Sequence, residues 1–349
     1  MFTYNEKANR ITFETKDIDI SIVNGLRRVL LMDVPMLGFI GNGNDTTVNI
    51  TENTTVLNNE IIANRIALIP LNVSEEYNDK YIFGENKLEI ELDVNCNESE
   101  GIKIITTQDL IVTQDGKKVQ NFFKKPYITI TKLRKNEILK LTAEAVKETG
   151  RKNASFNIVS GVTVYNKPKD DFSTSRSIIE QERDFIKGEY VFKFEIINDS
   201  ISHKYMLLKC IDILINKLVV LSDKATLEQF ENNELTYDFS IPGENDTIGN
   251  IIQSYVFDNY VIKKKKTLED SVCTYIGYIV KHPLDNVLTI RVTFVDVKPK
   301  EFYKSFLYKN CLKKPYNIKI RIWILTSKVA TPILPQVFKL TVVFKLCVK

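Results

Sequence analysis

Hydrophobic and polar residues follow two different periods along this chain, and each change of period marks a predicted element. Strict alternation of apolar and polar residues predicts a strand, whereas apolar residues three and four positions apart predict a helix with one buried face. Alternation predicts strands in NRITFETKD, EYVFKFEII and LTYDFSI, and at several places between residues 87 and 164. Two more strands, joined by a turn that contains a proline, are expected in TYIGYIVKHPLDNVLTIRVTFV.

The first helical pattern lies in DISIVNGLRRVLLMDVP, which begins at Asp19. Its apolar stripe has the spacing of one helix face and consists of Ile22, Leu26, Val29 and Leu30. Asp17 or Asp19 is the candidate N-terminal cap, because a carboxylate at that position accepts hydrogen bonds from backbone N–H groups. Pro35 ends the helix, because the residue before a proline disfavours helical torsion angles.

Three more helices are expected from the same spacing. The segment NNEIIANRIALIP has Asn58 or Asn59 as its candidate cap and a stripe of Ile62, Ile66 and Ile69. A long amphipathic helix is predicted from about residue 202 to 221, with the apolar positions Met206, Cys210, Ile213, Leu214 and Leu218. In GENDTIGNIIQSYVF the candidate cap is Asp246, and the stripe consists of Ile248, Ile251, Ile252, Tyr255 and Val256.

The order strand, capped helix, strands, helix occurs twice, which suggests two copies of one topology that pack helix against helix. The first copy is interrupted by a long insertion between its first helix and its returning strand. We therefore expect an α+β chain in three parts. Residues 1–42 and 183–231 form a first module, 43–182 an inserted β-rich domain, and 232–349 a second module with an atypical C-terminal tail.

Composition is typical of a folded, several-domain chain and excludes some functions. The 349 residues include 48 basic and 44 acidic side chains, and a formal charge of +4 is too balanced to indicate a nucleic-acid binder. The five cysteines are far apart and the two histidines form no cluster, so we expect reduced thiols and no zinc site. The polar N-terminus and the lack of an apolar run of spanning length favour a soluble, intracellular protein.

No catalytic motif is visible in the sequence. An enzyme needs titratable groups gathered in one place, yet there is no G-x-S-x-G, no H-E-x-x-H and no phosphate-binding glycine loop. Asp170 and Asp171 could hold a metal, although a solvated acidic loop is much commoner. The run KKKK at 263–266 could contact phosphates or an acidic partner, although one short basic run is weak evidence for either.

Two adjacent arginines, Arg27 and Arg28, lie beside the apolar stripe of the first helix. Neighbouring helical residues point roughly 100 degrees apart, so the two guanidiniums cannot share one face. In the simpler interpretation both arginines lie on the solvent side and cover the stripe with their aliphatic stems. In the functional interpretation a guanidinium beside a dimerising helix binds carboxylates or backbone carbonyls of a partner.

Several long motifs occur here in an order that resembles a known family. DISIVNGLRRVLLMDVP, VNITENTTVLNNEIIANRIALIPL, ITKLRKNEILKLTAEAVKETGRKNASFN and YVFKFEII resemble the alpha-type subunits of cellular RNA polymerases. These include bacterial alpha, archaeal D and the third-largest eukaryotic subunit. ENDTIGNIIQSYVF and YIGYIVKHPLDNVLTIRV are similar to the smaller subunit that pairs with it, archaeal L or the eleventh eukaryotic subunit. A chain holding both looks like the fused subunit of large cytoplasmic DNA viruses.

The resemblance implies two pseudo-symmetric dimerisation modules, the first interrupted by a mostly β inserted domain. It also implies a non-catalytic role as the assembly platform for the two large catalytic subunits, together with small zinc-bearing subunits. The chain itself would supply no active-site residue, bind no template for chemistry and contact no membrane. The implied location is the host cytoplasm and the virion, with the nucleus as the alternative.

Carried over residue by residue, the resemblance implies three sets of subunit-interface positions. In the first dimerising helix they are Asn24, Leu26, Arg27 and Arg28. On the platform surface they are Asn53, Thr54, Thr55, Val56, Glu60, Ala63, Arg65 and Pro70. In the second pairing helix they are Asp246, Thr247, Gly249 and Asn250, and His282 and Pro283 match its hairpin turn.

The chain departs from the family pattern in three places. Only Cys96 stands in the inserted region, where some relatives carry a cysteine cluster, so no zinc or iron–sulfur site is expected. The tail from residue 312 has three prolines and a strand-like pattern where the family has a long helix. Ala67 replaces a common glycine without changing the helix prediction. The rival hypothesis is a stand-alone virion or interaction protein that reuses the fold, and a weaker third is an enzyme.

Overall fold

The computed structural model of this chain describes residues 2–4, 10–16, 18–96, 101–123, 125–169, 185–198, 200–230, 233–261, 272–282, 284, 286–297, 302, 306, 320–324 and 340–344. The protein is a mixed α/β chain in which strands predominate. The coarse α+β expectation is therefore confirmed, while the pseudo-symmetric modules and the inserted domain stay predictions. Asp170 and Asp171, the KKKK run and most of the C-terminal tail lie outside the described residues.

Five α-helices occur in the described residues: α1 (Ile20–Met32), α2 (Asn59–Ala67), α3 (Glu75–Lys80), α4 (His203–Lys224) and α5 (Asp246–Tyr260). Four of them correspond to the helical patterns of the sequence. The short α3 was not expected, because six residues are too few to show an apolar period. Ser74 caps it by accepting a hydrogen bond from the Tyr77 N–H.

The strands of the first half are β1 (Phe2–Tyr4), β2 (Arg10–Lys16), β3 (Pro35–Gly38), β4 (Val48–Asn53), β5 (Leu88–Asn95), β6 (Ile102–Thr106), β7 (Ile111–Gln114), β8 (Lys117–Val119), β9 (Thr129–Arg134), β10 (Ile138–Glu144), β11 (Val146–Thr149) and β12 (Val159–Pro168). Those that follow are β13 (Phe185–Ile196), β14 (Thr226–Gln229), β15 (Thr236–Pro242), β16 (Cys273–Val280), β17 (Val287–Phe294), β18 (Ile320–Ile324) and β19 (Leu340–Phe344). All the strand segments expected from alternation are present as strands.

These strands form six sheets. The three larger ones have the orders β1-β2-β13-β12, β4-β10-β5-β7-β8 and β14-β15-β17-β16, and the pairs are β3-β11, β6-β9 and β18-β19. Neighbouring strands whose register is defined all pair antiparallel. Antiparallel sheets tolerate one solvated face, which agrees with the alternating burial along most of these strands.

The chain divides into two compact units. The first unit comprises Met1–Val29, Gly161–Phe194 and Cys210–Lys349, and the second comprises Leu30–Ser160 and Glu195–Lys209. In the first unit α5 packs on β16 and β17, where Leu288, Ile290 and Val292 are fully buried. In the second unit the predicted stripe of α2 joins the core of the five-stranded sheet, and Ile62 and Ile66 are fully buried there. The predicted domain bounds at 42/43, 182/183 and 231/232 stay predictions.

Candidate functional site

The first helix of the candidate site is α1, and Asp19, one of its two predicted caps, precedes it directly. The Asp19 carboxylate accepts a hydrogen bond of 2.8 Å from the Ser21 N–H, and the Asp19 carbonyl accepts from the N–H of Ile22. Asp17 lies outside the described residues. The side chain of Asp19 thus satisfies a donor that the first helical turn leaves without an intrahelical acceptor.

The buried line of α1 differs from the predicted stripe. Val29 and Leu30 are buried as expected, but Ile22 and Leu26 are only half-buried. The buried residues of the first turns are Ser21, Val23 and Gly25 instead. The helical spacing predicts buried positions from their apolar side chains. Glycine has no side chain, so the pattern does not predict that Gly25 is buried.

Gly25 lies where α1 packs closely against α5. A methyl group built at Gly25 would lie 2.8 Å from Ile251 Cδ1 and 3.7 Å from Thr247 Cγ2. A glycine in a helix interior costs about 1 kcal/mol relative to alanine, so the position is better explained by close approach than by helix propensity. Thr247 and Ile251 are both buried at this contact.

A hydrogen bond also joins α5 to the N-terminal end of α1. The Ser254 hydroxyl of α5 donates 3.0 Å to Asp19 Oδ1, the same oxygen that accepts from the Ser21 N–H. An ion pair of 3.6 Å also joins Lys217 of α4 to Glu244, in the segment that leads into α5. In the first unit, α1 and α5 are therefore joined by an apolar contact and by a hydrogen bond. The ion pair adds a polar contact between α4 and the segment before α5.

The N-terminus of α5 corrects one prediction. Asp246 was expected to be the cap, but the cap is Asn245, whose side chain accepts a 2.9 Å hydrogen bond from the Thr247 N–H. Asp246 is the first residue of the helix and is exposed, where a carboxylate interacts favourably with the helix dipole. Both residue types cap helices well, so composition alone could not separate the two positions.

Gly249 is buried against the sheet that supports α5, not against α1. A methyl group at Gly249 would lie 2.6 Å from Tyr278 Cδ2 and 2.8 Å from Leu288 Cδ1. Asn250, the last predicted interface residue of this helix, is half-buried. Of the predicted set on α5, Thr247 therefore meets α1 at Gly25, and Gly249 seats the helix on β16 and β17.

Arg27 and Arg28 are both half-buried but differ in their partners. Arg27 Nε donates a 2.9 Å hydrogen bond to Asn24 Oδ1, one turn earlier in α1. Arg28 makes no hydrogen bond or ion pair with the part of the chain that the structure describes. Burial raises the pKa of the Tyr278 hydroxyl, the Asp246 carboxylate raises it further, and the Arg28 guanidinium lowers it. Arg28 thus lies within electrostatic range of Tyr278.

The predicted positions 53–56 form a hydrogen-bonded turn in the second unit. Asn53 organises it, donating 2.8 Å to the Leu57 carbonyl and accepting from the Thr55 N–H at 2.9 Å and from the Thr55 hydroxyl at 2.7 Å. Thr54 Oγ1 accepts a 2.7 Å hydrogen bond from the Ile138 N–H. This turn leaves Val56 71% exposed, although it is apolar.

The helix α2 follows this turn and carries the two charged predicted positions. Its cap is Asn58, the first of the two predicted candidates, which accepts from the Ile61 N–H at 3.2 Å. Glu60 lies exposed in the first turn. Arg65 is exposed on the last turn and donates 2.8 Å to the Thr129 carbonyl of β9. The predicted interface positions are thus distributed over both units, in two separate groups.

A polar cluster around the buried Asn78 lies in the second unit, and the sequence pattern does not predict it. Asn78 is 1% exposed, accepts from the Leu37 N–H at 3.3 Å and donates to the Tyr205 hydroxyl at 3.1 Å. Tyr205 donates 2.6 Å to Asp79, which also forms a 2.8 Å ion pair with Lys209. Burial and this hydrogen bond raise the pKa of Tyr205. Burial opposes ionisation of Asp79, but the hydrogen bonds from Lys209 and Tyr205 outweigh it and lower its pKa.

The described residues contain no group of three or more His, Cys, Asp or Glu side chains placed to hold a metal ion. Cys96, Cys210 and Cys273 are buried, and burial raises the pKa of the Cys273 thiol to about 12. His282 accepts a 3.2 Å hydrogen bond from the Leu284 N–H, and Pro283 lies outside the described residues. Among the helices described, none is long and apolar enough to cross a membrane.

Comparison with known proteins finds several subunits of DNA-directed RNA polymerases among the relatives of this chain. No protein-family model matches the chain. The chain is 31% identical over 166 residues to the DNA-directed RNA polymerase II subunit rpb3 of Dictyostelium discoideum, covering 43% of this chain and 52% of that protein. It is 29% identical over 173 residues to the RNA polymerases I and III subunit rpac1 of the same organism, covering 44% and 48%.

A third relative comes from another organism. The chain is 28% identical over 166 residues to the DNA-directed RNA polymerase subunit Rpo3 of Picrophilus torridus, covering 45% of this chain and 60% of that protein. The chain therefore spans about half the length of the curated relatives it matches. Over somewhat less than half of its own length, the chain is homologous to alpha-type subunits of DNA-directed RNA polymerases.

Proposed function

We propose that this chain is a non-catalytic subunit of a multisubunit DNA-directed RNA polymerase, in which both halves of an alpha-type heterodimer are fused. In this proposal α1 belongs to a third-subunit-like module, residues 1–42 and 183–231, and α5 to an eleventh-subunit-like module, residues 232–349. An inserted β-rich domain occupies residues 43–182. The paired modules form the platform on which the two large catalytic subunits and small zinc-bearing subunits assemble.

The contact between α1 and α5 carries this proposal. Gly25 against Ile251 and the bond from Ser254 to Asp19 join a helix of the alpha-like half to a helix of the half that the sequence motifs liken to its partner. Tight approach at a glycine and a buried apolar line are the features of a permanent helix interface. A heterodimer interface within one chain needs no separate partner, which supports the fused arrangement.

Two further side chains support a role in binding other subunits, Arg28 in the first unit and Val56 in the second. Arg28 is half-buried without a hydrogen-bond partner in the described chain, and a guanidinium in that state is well suited to a partner's carboxylate or carbonyl. Val56 is held out to solvent by a turn that Asn53 organises. An ordered, exposed apolar side chain contributes more to a protein interface than to the free fold.

The fusion itself resembles the arrangement in large cytoplasmic DNA viruses, so we infer a site of action in the host cytoplasm and the virion, with the nucleus as the alternative. We infer no cofactor for this chain. The rival function, a stand-alone structural or interaction protein of a virion, uses the same fold but requires no large partners. The two proposals therefore differ in what the chain binds, which can be measured.

The test is native affinity purification of the tagged full-length chain from cells that produce it, with mass spectrometry of everything retained through high salt. The proposal predicts two very large polymerase subunits in equal amounts and template-dependent RNA synthesis by the eluate. Recovery of the chain alone, or with capsid proteins only, would support the stand-alone protein instead. A tagged chain carrying Lys204→Glu, an exposed charge change on α4, controls for the effect of mutation on recovery.

A further inference from the structure

The second unit contains a cavity of about 180 Å³ near the surface. Its walls include the apolar side chains of Phe123, Pro126, Ile128 and Ile197, and Lys125 also lines it. Pockets for small molecules generally measure about 300–1,000 Å³. This cavity is smaller and is suited to a single large apolar side chain.

Two of the polar groups that line this cavity are already used to hold its walls. The Asn198 side chain donates to the Leu71 carbonyl at 2.9 Å and to the Val73 carbonyl at 3.1 Å. The Thr107 hydroxyl accepts a 3.2 Å hydrogen bond from the Ile128 N–H. Because these groups are paired within the fold, the occupant they favour is apolar.

The cavity lies at the end of the β6–β9 ladder. The Thr107 N–H donates 2.9 Å to the Ile128 carbonyl, which continues the strand pairing into the cavity wall. On the exposed face of this ladder, Ile102 and Ile104 are 68% and 53% exposed. The opposite face is buried through Ile105 and Leu133. A strand with isoleucine on both faces indicates that the exposed face is also a contact surface.

Basic side chains stand directly opposite these isoleucines. Ile102 pairs with Arg134 and Ile104 with Lys132, and both basic residues are exposed. Neither side chain has a carboxylate partner in the described part of the chain. Two acidic groups that the structure describes near these strands are used locally: Glu137 accepts from the Arg134 N–H at 2.7 Å, and Asp109 accepts from the Thr106 N–H at 2.8 Å. The face therefore offers apolar contact and positive charge side by side.

We propose that the cavity and the exposed face of β6–β9 form a docking surface for an extended acidic segment of another protein. One large apolar side chain of that segment fills the cavity, its other apolar residues cover Ile102 and Ile104, and its carboxylates pair with Lys132 and Arg134. An extended chain rises about 3.3 Å per residue, so about eight residues span the ladder and reach the cavity. This surface is independent of the α1–α5 contact and of the function proposed above.

A protein segment fits this face better than a nucleic acid. Phosphates would pair with Lys132 and Arg134 but would leave Ile102 and Ile104 against charged, hydrated groups. The chain as a whole has a formal charge of only +4, far from the strongly basic balance of nucleic-acid binders. Alternating acidic and apolar residues match both properties of the face at once.

The test uses fluorescence anisotropy with the full-length chain and a labelled peptide of about twelve residues, long enough to span the ladder. The peptide alternates valine and glutamate and ends in phenylalanine. We expect saturable binding that weakens about tenfold or more in the double variant Lys132→Glu, Arg134→Glu. Ile104→Ser should weaken it too, as should alanine in place of the phenylalanine of the peptide. The double variant Lys117→Glu, Lys118→Glu, an equal charge change on exposed β8, should leave binding unchanged.

Three results would overturn the proposal. One is no binding of the acidic peptide to a chain whose melting temperature is normal. Another is equal binding by the Lys132→Glu, Arg134→Glu variant and the Lys117→Glu, Lys118→Glu control. The third is a single-stranded DNA probe of similar length that binds more tightly than the peptide, which would assign the face to nucleic acid. All the substituted side chains are exposed, so the variants are expected to fold.

Discussion

The Ser254 hydroxyl donates a hydrogen bond of 3.0 Å to the carboxylate of Asp19, which is 235 residues away in the chain. The same carboxylate oxygen caps α1 by accepting from the Ser21 N–H. One carboxylate oxygen therefore both caps α1 and accepts a hydrogen bond from α5. Local capping and long-range pairing depend on the same group, and the predictions below separate the two.

The Asp19 bond predicts coupled losses of stability. Asp19→Ala removes a cap and the interhelical acceptor, and should cost about 0.5–2 kcal/mol for the cap alone. Ser254→Ala should cost about 0.5–1.5 kcal/mol. Denaturant unfolding of both single variants and the double variant measures the coupling. Both substitutions remove the same hydrogen bond, so the double variant should lose less stability than the sum of the two single losses. Strict additivity would contradict the account.

The approach of α1 to Ile251 predicts a graded response at Gly25. Gly25→Ala should change stability little, because helix propensity improves and Ile251 Cδ1 is the end of a flexible side chain. Gly25→Leu should cost about 1–3 kcal/mol by overpacking, and Ile251→Ala should recover part of that loss. Gly101→Leu is the matched control, since nothing lies within 4 Å of a methyl group there. Equal losses at Gly25 and Gly101 would rule out the contact.

Two leucines of α1 differ in burial and should differ in their effect on stability. Leu30 is 2% exposed, whereas Leu26 is only half-buried. Leu30→Ala should therefore cost about 2–5 kcal/mol, and Leu26→Ala clearly less. Thermal unfolding of the two variants makes the comparison with the same chemical change on the same helix. A larger loss at Leu26 would restore the stripe expected from the apolar period.

The two arginines should differ in partner binding. Arg27 uses Nε to bond Asn24, whereas Arg28 has no hydrogen-bond partner in the described chain. Arg28→Ala should leave the melting temperature unchanged and lower retention of the large subunits about tenfold or more, the effect of removing one side of a charged contact. Arg27→Ala should lower the retention of the large subunits less than Arg28→Ala does. The measurement is the amount of large subunit retained per tagged chain, and equal retention by both variants would contradict the assignment.

The polar cluster around Asp79 should make the second unit sensitive to acid. Its partners lower the pKa of Asp79, so the stabilisation is present above the ordinary carboxyl pKa of about 4 and is lost as the pH falls through the lower value of the folded protein. Asp79→Asn should therefore reduce stability near neutrality and flatten its dependence on pH below about 4. Unfolding followed between pH 7 and pH 2 tests this. Glu85→Gln, an exposed acid elsewhere in the second unit, is the control.

The spacing of apolar side chains predicted the helices and strands well, but it did not predict where α1 contacts α5. The stripe of Ile62, Ile66 and Ile69 in α2 is buried as the spacing requires, because that helix packs on a broad sheet. In α1 the contact follows Gly25 instead of Leu26, since two helices approach most closely where a side chain is missing. A glycine within an apolar helical run was the available signal for this contact.

Polar partnerships between distant segments could not be predicted from the sequence. Asn78 bonds Tyr205 and Leu37, and no local pattern distinguishes it from the many exposed asparagines of this chain. The cap of α5 was misplaced by one residue for a similar reason, since asparagine at 245 and aspartate at 246 are both residue types that cap helices well. Only the backbone torsion angles decide between two such neighbours.

The most direct test of the fused-heterodimer account is native mass spectrometry of the intact complex purified through the tagged chain. The account predicts one copy of this chain with one copy of each very large subunit, and no separate small subunit of the eleventh type, because that half is already present. Two copies of the chain, or an additional eleventh-type subunit bound to it, would contradict the pairing of α1 with α5 as the complete heterodimer. A mass equal to that of the chain alone would contradict the assembly role itself.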